Sequence, residues 1–111
     1  MNDVNAKYVG RSGAKFPTSV RVDSDTFSVF VNDAAVLTTR LEFNLLSYLM
    51  ANAGRVISPK ELFERVLGTA FVPESAVLRV HVTHLRRKLG AAALALRTVR
   101  GRGLVWDSQA S

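Results

Sequence analysis

The chain has 111 residues, 48% apolar and 22% charged, with a net charge of +6 and no cysteine. That length supports one hydrophobic core rather than two domains, and the missing thiols exclude a disulfide framework, a thiolate metal site and a cysteine nucleophile. No apolar run approaches the roughly 18 residues of a spanning helix and the N-terminus lacks a secretory apolar segment, so the expectation is a soluble protein of the cytoplasm with no membrane partner.

Residues 1–19 mix Gly, Ser, Asn and Lys and read as a flexible leader or linker remnant. From 20 to 37 the apolar residues alternate, with Val20 and Val22, then Phe27, Val29 and Val31, then Ala35 and Leu37, separated by Asp23 to Asp25 and by the Asn32, Asp33 pair. Period two with turn residues between the runs predicts antiparallel strands. At Thr39 the period changes: Leu41, Leu45, Leu46, Leu49 and Met50 recur at three and four, which predicts an amphipathic helix. Thr39 and Glu42 form a capping box at its start and Gly54 supplies its stop. Ser58, Pro59, Lys60 and Glu61 predict a second capping box and a short helix ending at Gly68. A loop through Phe71 and Pro73 leads to a third helix over 74–89, terminated by Gly90. The run LRTVRGRGLVW over 96–106 predicts a hairpin with an Arg and Gly tip. The fold class is therefore α+β, with an N-terminal antiparallel sheet, a three-helix core and a C-terminal hairpin in a domain spanning 20–107, then a tail over 108–111.

The charge is concentrated in the last third. Arg79, Arg86, Arg87, Lys88, Arg97, Arg100 and Arg102 share residues 74–102 with one acid, Glu74, while bases and acids balance elsewhere. A positive field so localised points to a polyanionic partner. On the third helix Leu78, Val82, Leu85 and Leu89 form the stripe expected to be buried, and the opposite face carries Ala76, Val80, Thr83, His84 and Arg87, flanked by Arg79 and Arg86. An apolar Val80 amid basic residues leaves about 1.5–3 kcal/mol of burial unused in the free protein. The methyl group of thymine in a major groove would supply it, beside hydrogen bonds to base edges from Thr, His and Arg. The competing account of that helix alone is a solvated basic face with a scattered valine. The hairpin tip argues against it, because an Arg-bearing loop with glycines suits a narrowed minor groove.

The sequence from Leu37 to Trp106 resembles the winged-helix DNA-binding domain of the OmpR/PhoB class of bacterial response regulators. The resemblance is carried by LTTRLEFNLLSYLMANAGRVISPKELFERVLG, VLRVHVTHLRRKLG and LRTVRGRG, in the family's order. It implies a winged helix-turn-helix with a four-stranded N-terminal sheet, and a transcription regulator that binds double-stranded DNA through a recognition helix at 74–89 in the major groove and a wing at 96–106 in the minor groove. Carried over, base-facing positions fall on Val80, Thr83 and His84, with Arg86 on a neighbouring phosphate. With Arg87 and the wing-tip residues Arg100 and Arg102, these make the expected DNA-binding set. The resemblance also implies contact with RNA polymerase through the loop at 68–73, where Phe71 and Val72 read otherwise as loop anchors. It further implies a free monomer that pairs head to tail on DNA.

The chain departs from many relatives in having Ala76 for Arg, Arg79 for an acid, Leu104 for Tyr and Leu67 for Trp. Val105 stands where some place a minor-groove Arg, which shifts that role to Arg102. His84 for Arg would make base binding pH-sensitive. The resemblance implies a receiver domain N-terminal to such a module, and since these 111 residues do not include one the expectation is an excised effector or a stand-alone regulator. No catalytic constellation, metal site or cofactor motif is present: His81 and His84 lie three apart without a carboxylate partner. The alternative function is a winged-helix module docking RNA or a protein such as RNA polymerase.

Overall fold

A computed structural model of the chain describes residues 19–108; residues 1–18 of the leader expected over 1–19 and the last three residues of the tail lie outside them. The first sheet comprises β1 (Val20–Asp23), β2 (Ser28–Val31) and β3 (Ala34–Val36), in that order and antiparallel. Three strands form among the described residues where the resemblance implies four. Asn32 and Asp33 both take positive φ, 51° and 69°, the two-residue hairpin geometry that Asn and Asp tolerate. The Asn32 side chain also accepts from the Ser19 amide at 2.9 Å, extending the β1 end of the ladder.

This tight turn corrects the expected phase of β3. With no extra residue between the strands, Ala34 pairs with Val31 and Val36 with Val29. Val36, not Ala35 or Leu37, therefore shares the inner face with Val29, and Leu37 is 90% exposed beyond the strand end. A one-residue change of register sends every side chain to the other face. Phe27 also leaves the strand: it sits in the β1–β2 turn at φ 54°, its ring edge on Phe43 and the Arg40 guanidinium 3.5 Å above it.

Helix α1 (Arg40–Ala51) has the predicted capping box, with the Glu42 amide donating to Thr39 Oγ1 at 3.1 Å and the Thr39 amide to Glu42 Oε1 at 3.0 Å. It stops at Ala51 with Asn52 as cap, two residues before Gly54. Helix α2 (Pro59–Leu62) widens into a π turn over Phe63–Leu67, and Gly68 closes it at φ 73°. Its capping box is only half formed. Ser58 accepts from the Glu61 amide, but the Glu61 carboxylate turns to Tyr48 and Arg55 instead of to the Ser58 amide. Helix α3 (Val77–Leu89) runs through a 3-10 turn (Gly90–Ala95) into β4 (Leu96–Val99) and β5 (Gly103–Trp106). The 3-10 turn has no counterpart in the sequence reading. Leu45, Leu46, Leu49, Ile57, Leu62 and Leu85 are fully buried where the three helices meet, with Trp106 and Leu104 of the hairpin closing the core.

Candidate nucleic-acid interface

Helix α3 begins three residues later than expected. The Ser75 amide donates to Val72 O at 3.0 Å, closing a turn through Pro73 and Glu74, and Ser75 Oγ then accepts from the Val77 amide. Ala76 consequently lies at the helix cap rather than on its outward face. The inward stripe is as predicted: Val82, Leu85 and Leu89 are buried and Leu78 partly so. Outward, Thr83, His84 and Arg87 are exposed and Val80 is 45% exposed. Its last turn carries Arg86, Arg87 and Lys88, where cations favour the helix dipole.

The roll of α3 is held by Lys88, whose Nζ reaches the buried Glu42 Oε1 at 2.6 Å, 46 residues back along the chain. Burial pushes the Glu42 carboxyl up, but hydrogen bonds from Lys88 and from the Thr39 amide, with the attraction of Lys88, outweigh it and hold the pKa below 4.5. One carboxylate thus caps α1 and anchors α3. Capping alone was legible for it from sequence.

The hairpin pairs Leu96 with Trp106 and Val99 with Gly103, and its tip over 100–102 is closed by the Arg102 amide on Val99 O at 2.9 Å. It is seated on the α1–α2 connection: the Ile57 amide donates to Leu104 O at 2.7 Å and the Leu104 amide to Ile57 O at 3.0 Å. Gly103 sits at φ 147°, and a Cβ there would lie 1.9 Å from Ile57 O, so only glycine allows this approach. Leu104 and Val105 are both buried, and Arg100 and Arg102 are the exposed guanidiniums of the wing tip.

The cationic stretch divides into structural and outward-facing members. Lys88 is paired with Glu42 and Arg97 with Asp107 at 2.8 Å. Arg86 hydrogen-bonds to Leu96 O and Thr98 Oγ1. Arg79, Arg87, Arg100 and Arg102 are exposed and make no ion pair among the described residues. Five of the expected residues therefore project outward on α3 or the tip, while Arg86 lies half-buried between them and Val80 supplies the apolar spot. In the 68–73 loop Phe71 is anchored edge-on against Phe63 at 5.3 Å, whereas Val72 is 46% exposed. Among the described residues no cluster of His, Cys, Asp and Glu could hold a metal, and no helix is long and apolar enough to cross a membrane.

Residues 33–106 match the family described as "Transcriptional regulatory protein, C terminal". The chain belongs to this family, the OmpR/PhoB-type effector domains. It is 40% identical over 92 residues to the sensory transduction protein RegX3 of Mycobacterium leprae, a match covering 80% of this chain and 46% of that protein, so the chain spans about half the length of the relative. Among solved structures, the DNA-binding domain of CpxR from E. coli is similar with a TM-score of 0.75 and 28% identity, over 86% of this chain and all of that one. The DNA-binding domain of response regulator AdeR, solved in complex with an intercistronic region, is similar with a TM-score of 0.68 and 25% identity over 84% of this chain and 98% of that one. The architecture of this effector domain is the winged helix-turn-helix: N-terminal sheet, three helices and a two-stranded wing.

Proposed function

We propose that this effector domain binds double-stranded DNA sequence-specifically as a bacterial transcription regulator, laying α3 in the major groove and the wing in the adjacent minor groove. The observation that carries the reading is the shared outward direction of charge. Four exposed arginines on α3 and the tip have no acidic partner among the described residues, while the other bases of the stretch are bonded within the fold. Val80, Thr83 and His84 face base edges; Arg87 meets phosphate, Arg100 and Arg102 enter the minor groove, and Arg86 joins the two probes. The likeness to the AdeR DNA-binding domain, solved in complex with an intercistronic region, supports DNA as the partner.

The domain spans 20–107, acts in DNA binding rather than catalysis and works in the cytoplasm. It is a monomer when free and pairs head to tail on direct repeats. A second reading is favoured by one observation: Val72 presents apolar surface on a loop that Phe71 pins in place, so 68–73 is a candidate contact for RNA polymerase. The test is titration of duplex DNA across salt concentrations. With about six phosphates engaged the log–log slope is about −5. A slope near zero, or equal affinity for duplex RNA, whose deep major groove excludes side chains, would sink the proposal.

A further inference from the structure

We propose that Arg86 is a positioning residue, the strut that fixes the angle between α3 and the wing; this deepens the duplex-binding reading and rests on it. Arg86 lies on the last turn of α3, and its guanidinium reaches across to the wing's first strand. Nε and Nη2 both donate to Leu96 O, at 3.3 and 3.0 Å, and Nη2 also donates to Thr98 Oγ1 at 2.8 Å. Two donors of one rigid plane on a single carbonyl fix direction as well as distance.

Otherwise the angle is set through shared neighbours, the 3-10 turn that joins α3 to β4 and the core on which Leu85, Leu96, Leu104 and Trp106 pack together. Arg86 is the side chain that bonds helix to strand directly. The α3 and hairpin backbones make few direct contacts, and a cleft of about 400 Å³ opens between them, bordered by Leu78, Val82, Thr98 and Val99. β5 is held on both edges, by β4 and by Ile57, whereas among the described residues β4 pairs with β5 alone. Arg86 attaches the other edge of β4 to the helix. The leverage is large: a four-residue strand is about 13 Å long at 3.3 Å per residue, so a swing of about 10° at its base moves the tip about 2 Å. A shift of that size takes Arg100 and Arg102 out of register with a groove that α3 has already set.

Binding of duplex DNA by the wild type is compared with Arg86→Ala, Arg86→Lys, Thr98→Val, Arg102→Ala and the double variant R86A/R102A. Residual dipolar couplings of wing and α3 amides are recorded for each free protein. A strut predicts about a tenfold loss in R86A, the scale of a charged hydrogen bond. It predicts no rescue in R86K, whose single ammonium cannot replace the fork, and a smaller loss in T98V. The R86A and R102A losses do not add, because each disables the same probe. Wild-type affinity in R86K together with additive losses would mean an independent phosphate contact and overturn the proposal. Unchanged wing couplings in R86A and T98V would overturn it whatever the DNA affinities. Failure of the wild type to bind any duplex would instead sink the function proposed above, leaving the couplings to decide the strut.

Discussion

Helices α1 and α3 are nearly the same length, 12 and 13 residues, yet they are built for different neighbours. α1 is closed by a reciprocal capping box and buries Glu42, Phe43, Leu45, Leu46 and Leu49. α3 has no side-chain bond at its cap residue, buries only Val82, Leu85 and Leu89, and leaves Val77 and Val80 more than 40% exposed amid arginines. α1 satisfies its groups within the fold. α3 keeps one stripe for the core and directs the remainder outward, and the difference between them marks the candidate interface without reference to any relative.

The sharpest break of this comparison is Leu46→Ala. Leu46 is fully buried in the core, and its truncation should cost about 3 kcal/mol of unfolding free energy in a urea titration, while the folded fraction still binds DNA with unchanged affinity. A loss below about 1 kcal/mol would mean that α1 is not the core helix described. Next comes Gly103→Ala, which pushes a methyl against Ile57 O and demands a φ that L residues avoid. About 2–3 kcal/mol of stability should go with it. DNA affinity should fall as well, because the wing loses its seat; normal thermal stability would contradict the close approach.

A smaller effect joins the two helices. Glu42→Gln keeps the shape but removes the charge that Lys88 meets, and should cost about 2 kcal/mol, less than a fully buried pair because Lys88 is 33% exposed. Since the folded pKa lies below 4.5, the charge contribution is complete above that value and is lost as pH falls beneath it. Glu61, held down to about 2 by Arg55 and then Tyr48, adds a slope of the same sign over the range between. Unfolding titrations from pH 7 to 3 should therefore show the wild type losing stability faster than the Glu42 variant. Parallel curves would remove Glu42 as the link.

Most of this architecture was legible because burial is periodic. The α1 and α3 stripes, the Thr39 cap, the hairpin over 96–106 and the outward set on α3 all follow from local spacing. What escaped depends on a distant partner or on turn length. Ala35 and Leu37 alternate as well as Val36 does, and only the two-residue turn before them selects the phase. Glu61 stands where a capping box needs it, but Arg55 and Tyr48 offer it stronger partners. Lys88 and Arg86 read as surface cations in one dimension. Their acceptors, Glu42 46 residues away and Leu96 O across a turn, exist only once the chain has folded.

The subtlest test separates the two helices by the sign of their apolar residues' roles. Val80→Ala removes two methyl groups from a side chain that is 45% exposed, so stability should change by less than about 0.5 kcal/mol. If those methyls meet a thymine methyl group, affinity should fall about three- to tenfold for the preferred duplex and hardly at all when that thymine is replaced by uracil. Equal losses on both duplexes would assign Val80 a steric role at the groove rather than base recognition. An increase in stability with no change in binding would make it a scattered surface valine, and the contrast with α1 would then rest on the arginines alone.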